Sequence, residues 1–127
     1  MFVISDPDEA AWLGWFAQAE NYDGYLRWAY NSWTLDPLTD TRFRTWPAGD
    51  CFVVYPGGRG SVRFSKLTEG IQDFEKVRIL RAQWQKEGNE AKLAQLTEVL
   101  KPFTSDKILE EGPAKALAAA KSFLDKQ

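Results

Sequence analysis

An α/β architecture is what the sequence predicts, and two observations carry that expectation. Two short, nearly continuous apolar runs, 24–30 and 51–55, have the composition of strands. The stretches before and after them place apolar residues at helical spacing. Continuous rather than alternating apolarity fits strands covered on both faces of a parallel sheet. The order is helix, strand, long loop, strand, helix, helix, helix. Two strands are fewer than the roughly three a stable sheet needs, so the pattern reads as the end of a larger α/β fold. The alternative is a rearranged, helix-rich α+β domain if the chain folds alone.

The first helix is expected over 6–20, with Asp6 at the N-cap, Pro7 at the first helical position and Glu9 three residues after the cap. Trp12, Trp15, Phe16 and Ala19 recur at helical spacing and define its apolar face. Asp23 and Gly24 break the pattern before the strand Gly24–Tyr30. Asn31 to Gly49 is a long loop carrying Pro37, Pro47 and a polar run from Thr39 to Arg42, and loops of that length are commonly functional. Cys51–Tyr55 is the second strand, and the glycine-rich stretch from Pro56 to Gly60 ends it. A long helix follows over 61–87, capped by Ser61 or Ser65, with Phe64, Leu67, Ile71, Phe74 and Ile79 on its apolar face and Gly88 as its stop. Two further helices are expected over 89–101, with Leu93, Leu96 and Leu100 inward, and over 113–125, with Leu117, Ala120 and Leu124 inward.

Composition excludes much chemistry. The chain has 127 residues, a net charge of -2, one cysteine and no histidine. It therefore supports no Ser-His-Asp triad, no Cys-His pair and no His-ligated metal. Cys51 alone forms no internal disulfide. The sequence calls for no cofactor and no metal. The slightly negative balance argues against nucleic acid as a partner, and no apolar run approaches the roughly 18 residues that span a bilayer. The residues from Met1 to Ser5 lack the features of a signal peptide, and nothing in the chain specifies a compartment. The positive anomaly is aromatic: of 6 Trp, all but Trp84 fall in the first half, at positions 12, 15, 28, 33 and 46.

Three stretches carry a resemblance. The first is Asp23-Gly24-Tyr25-Leu26-Arg27-Trp28-Ala29-Tyr30-Asn31-Ser32-Trp33. The second is Trp46-Pro47-Ala48-Gly49-Asp50-Cys51-Phe52-Val53-Val54-Tyr55-Pro56-Gly57. The third is Ser61-Val62-Arg63-Phe64, continuing from Leu67 through Lys76. In this order, over about residues 5–85, they resemble the carboxyl-terminal part of the glycoside hydrolase family 123 catalytic domain, a bacterial family. The tail 89–127 resembles the helical end of such proteins more loosely. The resemblance implies a (β/α)8 barrel of which this single segment supplies the last two βα units over 5–87, followed by a helical tail over 88–127. It implies β-N-acetylgalactosaminidase activity in the complete enzyme, by a substrate-assisted route in which the 2-acetamido group attacks the anomeric carbon. An Asp orients that group and an adjacent Glu is the general acid, a departure from the ordinary two-carboxylate scheme. The family's Asp-Glu pair lies on an earlier strand than the motifs present here. Asp8-Glu9 matches no catalytic context, so no catalytic residue is assigned and the chain alone is expected to be inactive. Full-length relatives are expected to be secreted or periplasmic.

A barrel places function at the carboxyl ends of its strands. On that logic the first strand ends at Tyr30 and puts Asn31, Ser32 and Trp33 on the functional face, and the second ends at Tyr55 and puts Tyr55, Gly57, Gly58 and Arg59 there too. Trp46, Gly49 and Asp50 fall toward the opposite, structural face. Sugars present an apolar ring face and a rim of hydroxyls, so the candidate substrate-binding residues are Trp33, Tyr55, Asn31, Tyr30, Arg59 and Arg27, with Trp33 and Tyr55 leading. The competing reading is that both are packing aromatics. Arg27, in mid-strand, needs a carboxylate partner, either Asp50 or one from the rest of the barrel. Trp12, Trp15 and Trp28 are read as core. Asp36, Asp40 and Arg42 are read as a solvated loop. Glu69, Asp73 and Glu75, interleaved with Lys66, Lys76 and Arg78, are read as a charged face or packing salt bridges.

The expected function is thus that of a segment of a glycoside hydrolase acting on glycans with β-linked N-acetylhexosamine. The alternatives are a non-catalytic carbohydrate-binding or protein-interaction module, and a helical scaffold whose aromatics are all core. The expected partner is carbohydrate, with self-association through exposed sheet edges if the chain folds alone, and with neither nucleic acid nor membrane.

Overall fold

Five α-helices and a long irregular segment make up the computed structural model, which describes residues 1–44 and 46–127. Thr45, inside the expected 31–49 loop, lies outside that description. The helices are α1 (Asp8–Ala19), α2 (Val62–Glu87), α3 (Glu90–Leu100), α4 (Ser105–Glu111) and α5 (Ala114–Leu124).

The expected α/β fold is not formed. Among the described residues there is no strand and therefore no βα unit of a barrel, and the α+β alternative fails for the same reason. The two expected strand regions meet only at their ends, through an isolated antiparallel bridge between Asn31 and Phe52 and the backbone bonds flanking it. The physical cause is lack of partners. Strand composition reports fitness for a covered, pleated surface, and an isolated pair of strands is marginal in water. Here Leu26 is 96% and Trp28 57% exposed while Ala29 is buried, so the first run is covered on one face only.

The helices form for local reasons that the sequence shows well. Ser61 Oγ accepts from Phe64 N–H at 3.0 Å and caps α2, which ends at Gly88 in the left-handed region at φ 65°. Asn89 caps α3 through Lys92 N–H, and Pro113 opens α5. Asp6 Oδ1 accepts from Asp8 N–H at 2.9 Å, although Pro7 holds the cap position of α1. The short α4 was not expected from the sequence: only Ile108 and Leu109 are apolar in its seven residues, too few for a periodic signal.

Packing is governed by one contact. A Cβ built on Gly14 of α1 would stand 2.1 Å from the carbonyl oxygen of Gly70 in α2, and one on Gly70 would stand 2.7 Å from the carbonyl oxygen of Ala11. The two backbones touch. This brings Trp12 and Trp15 against Val77 and Trp84 of α2, Leu96 and Leu100 of α3, Phe103, and Leu117, Ala120 and Leu124 of α5. Trp15 stacks on Phe103 with centroids 5.6 Å apart. The inner face of α2 is Gly70, Asp73, Phe74, Val77 and Trp84, so the expected face is corrected: Ile71 and Ile79 are about half exposed. The stripe is built around a glycine contact and a buried acid, which apolar spacing does not register.

That acid is Asp73. It accepts from Trp15 Nε1 at 3.1 Å and pairs with Lys121 of α5 at 2.8 Å. Lys121 also pairs with Glu69, and Lys66 bridges Glu69 to Asp8 of α1. Two cations and three carboxylates thus join α1, α2 and α5, which agrees with the packing salt bridges expected on this face.

Gly70→Ala should lower unfolding free energy by about 3 kcal/mol in urea melts, because the clash is with backbone that cannot yield. Gly24→Ala, with open space around it, should cost little. A second expectation concerns pH. Lys121 holds Glu69 below the usual carboxylate range, so its contribution is present above the unfolded pKa and lost as pH falls through the lower folded one. The pKa of Lys121 is raised by Asp73 and Glu69 against the opposing effect of burial, so its share is lost only as pH rises above the ordinary lysine range. The stability gap between wild type and Lys121→Met should therefore be flat near neutrality and shrink in acid, as read by melts from pH 7 down to 3.

Candidate functional site

Among the described residues, 20–61 connect α1 to α2 without a helix, and their order comes from side chains rather than from a ladder. Arg63, in the first turn of α2, is 7% exposed. Its Nη1 donates to the carbonyl oxygens of Gly49 and Phe52. Gly49 sits at φ +79°, and a Cβ there would lie 2.6 Å from that same guanidinium nitrogen, so glycine is required for the clamp. Nearby, Arg27 Nη2 donates to the Asp50 carbonyl and lies 3.5 Å from its carboxylate. Asp50 is thus the partner that the mid-chain Arg27 needs.

Around these clamps the two expected strand regions meet. Ser32 N–H donates to Cys51 O at 3.0 Å and Val53 N–H to Tyr30 O at 2.9 Å. Ala29, Cys51, Phe52 and Val53 are buried beneath. Burial pushes the Cys51 thiol up, away from the thiolate that reacts. The pairing is antiparallel, so the two runs do not present their carboxyl ends on one face as barrel strands would.

The structure nevertheless brings most of the sequence candidates together. Asn31 pairs opposite Phe52. Trp33 donates Nε1–H to Val54 O at 2.8 Å and is 41% exposed as a residue. Tyr55 packs edge-on against Phe52 and pairs with Arg59, whose guanidinium donates to Pro56 O. Tyr30, half exposed, packs edge-on to Phe64. Arg27 stands apart from this group, engaged beneath it with Asp50.

Two residues read otherwise from the sequence belong to the exposed aromatics. Trp28, expected in the core, and Trp46, expected on the far structural face, are 57% and 50% exposed. Their centroids lie 5.3 Å apart, and Trp28 donates Nε1–H to Asp50 Oδ2 at 3.3 Å. The signal for Trp46 was its place in a polar, proline-containing loop, where an aromatic has no core to fill.

Four carboxylates, Asp8, Glu9, Asp36 and Asp40, are held in ion pairs or hydrogen bonds. Arg42, through its guanidinium and its backbone N–H, holds Asp40 at about 2, opposite to the upward shift of a general acid. Asp36 accepts from Thr39. Asp8 pairs with Lys66 and Glu9 with the amino group of Met1. Among the described residues no cluster of three His, Cys, Asp or Glu is placed to hold a metal, and no helix is long and apolar enough to cross a membrane.

The family model of the glycoside hydrolase 123 catalytic domain matches residues 1–80. The chain belongs to this family of glycoside hydrolases. No curated protein matches it. The match takes in α1, the whole irregular segment and most of α2, while α3, α4 and α5 lie beyond it.

Arg63→Met should cost about 3 kcal/mol in unfolding free energy, since it leaves two buried carbonyls without donors. Near-UV circular dichroism should show loss of the ordered Trp signal. Arg63→Lys should recover less than half, because an ammonium cannot serve both carbonyls with a planar fork.

Proposed function

We propose that the chain is the carboxyl-terminal part of a family 123 catalytic domain, acting in the complete enzyme on glycans with β-linked N-acetylhexosamine, in particular N-acetylgalactosaminides. The observation that carries this reading is the exposed aromatic set Trp28, Tyr30, Trp33 and Trp46, inside the matched residues. Two of these rings are fixed by their own indole N–H groups. A tethered indole with a bare face suits the apolar face of a pyranose, and Asn31 and Arg59 beside it supply donors for hydroxyls. Membership of a hydrolase family supports carbohydrate as the ligand class.

The chain contributes binding surface rather than chemistry. Its Asp8-Glu9 dipeptide is spent on ion pairs at the start of α1, so the acetamido-orienting Asp and the general acid come from elsewhere in the catalytic domain.

Titration with N-acetylgalactosamine should quench Trp emission saturably, and Trp33→Phe should weaken that response about tenfold, the scale of one good aromatic contact. Unchanged emission and melting temperature at high sugar would favour a purely structural role for these rings. An aryl β-N-acetylgalactosaminide should release no phenol with this chain alone. Turnover abolished by Glu9→Gln would overturn the assignment.

A further inference from the structure

We propose that the cleft between the carboxyl end of α1, the last turns of α2 and the length of α3 binds a small monocarboxylate with an apolar body. The cleft encloses about 530 Å³, inside the roughly 300–1,000 Å³ range of small-molecule sites. It shares no residue with the aromatic set described above. Leu93 gives it a partly exposed apolar wall, and Leu96, Leu100 and Phe103 of the core lie beneath its floor.

Arg81 supplies the polar end. It lines the cleft, is part-buried, and donates one N–H to the Gln18 carbonyl oxygen at 3.2 Å. A guanidinium carries five N–H donors, and among the described residues no carboxylate pairs with this one. Burial pulls its pKa down from the ordinary guanidinium value, the mark of a charge held without a counter-ion. The other lining cation, Lys101, is already paired with Glu98 at 2.5 Å.

Charge fixes the class of ligand. Lys101 is engaged by Glu98 and lies mostly in solvent, so the part-buried cation of the cleft is Arg81, and Glu20, which also lines it, disfavours any further negative charge. A single carboxylate fits both constraints and accepts two parallel N–H bonds from a guanidinium, whereas a doubly charged phosphate meets Glu20. The Leu93 wall and the apolar floor call for a short hydrocarbon body attached to that carboxylate.

Sodium hexanoate titrated into the ¹⁵N-labelled chain should shift the amides of residues 93–104 and the Arg81 side-chain resonance saturably. Hexanol, which lacks the charge, and acetate, which lacks the body, should each bind at least about tenfold more weakly, the scale of one charged hydrogen-bonded contact. Arg81→Met should weaken hexanoate by a similar factor and leave hexanol unchanged. If that variant does not fold, Thr97→Trp on the exposed wall of the cleft should block hexanoate instead. Absence of a saturable shift in wild type, or hexanoate binding unaltered by the substitution that folds, would overturn the proposal.

Discussion

The closest approach of α1 and α2 at Gly14 and Gly70 is the constraint on which the remaining structure depends. Backbone contact brings the helix axes as near as they can come. Only at that distance do Trp12 and Trp15 reach past α2 to the side chains of α3, Phe103 and α5. It also sets the Trp15 indole N–H on Asp73, which makes burial of that carboxylate tolerable. An unpaired buried charge is very costly, and Asp73 has a neutral donor from α1 and an ammonium from α5. Lys121 lies beyond the residues matched by the family model, so the α3–α5 extension supplies both apolar cover and the counter-charge for a helix inside the matched part.

The same contact fixes the two ends of the irregular segment. Closing a long loop costs entropy that grows only slowly with its length, so the large expense lies in ordering its interior. A sheet would meet that expense with a ladder of backbone bonds. Here two arginines take the place of the ladder, each reaching inward to carbonyls that would otherwise be buried without donors. Gly49 shows how tight the arrangement is, since a methyl group there would displace the Arg63 guanidinium. The segment can thus be ordered without being regular.

The helical half was legible in the sequence because its signals are local. Ser61, Asn89, Gly88 and Pro113 mark ends by their own backbone chemistry, and Leu93, Leu96, Leu100, Leu117, Ala120 and Leu124 keep a clean period. The first half was not legible in the same way. Residues 24–30 and 51–55 have side chains suited to strands, but strand formation depends on neighbours that composition does not reveal. Trp28 shows the consequence: strand composition implies cover on both faces, yet with no second layer its ring meets solvent and Trp46 instead of a core. Most of the candidate group of Tyr30, Asn31, Trp33, Tyr55 and Arg59 came together for a different reason, the antiparallel meeting of their segments around Asn31 and Phe52.

The tryptophans divide by what their indole N–H groups do. In the helical core, Trp15 spends its N–H on a buried carboxylate and its ring on Phe103, so both ends of the side chain serve packing. In the irregular segment, Trp28 and Trp33 spend their N–H groups on Asp50 and on the Val54 carbonyl while each side chain stays about half exposed. A ring tethered at its polar end has lost much of its rotamer freedom before any ligand arrives, and that loss is otherwise charged to binding. Exposed apolar area in a soluble fold is ordinarily scattered and unremarked. Trp28 and Trp33 differ from the other exposed hydrophobics in that hydrogen bonds hold them in place, and both lie within the residues matched by the family model. Packing alone explains the core rings, whereas the tethered rings have an orientation that packing does not require.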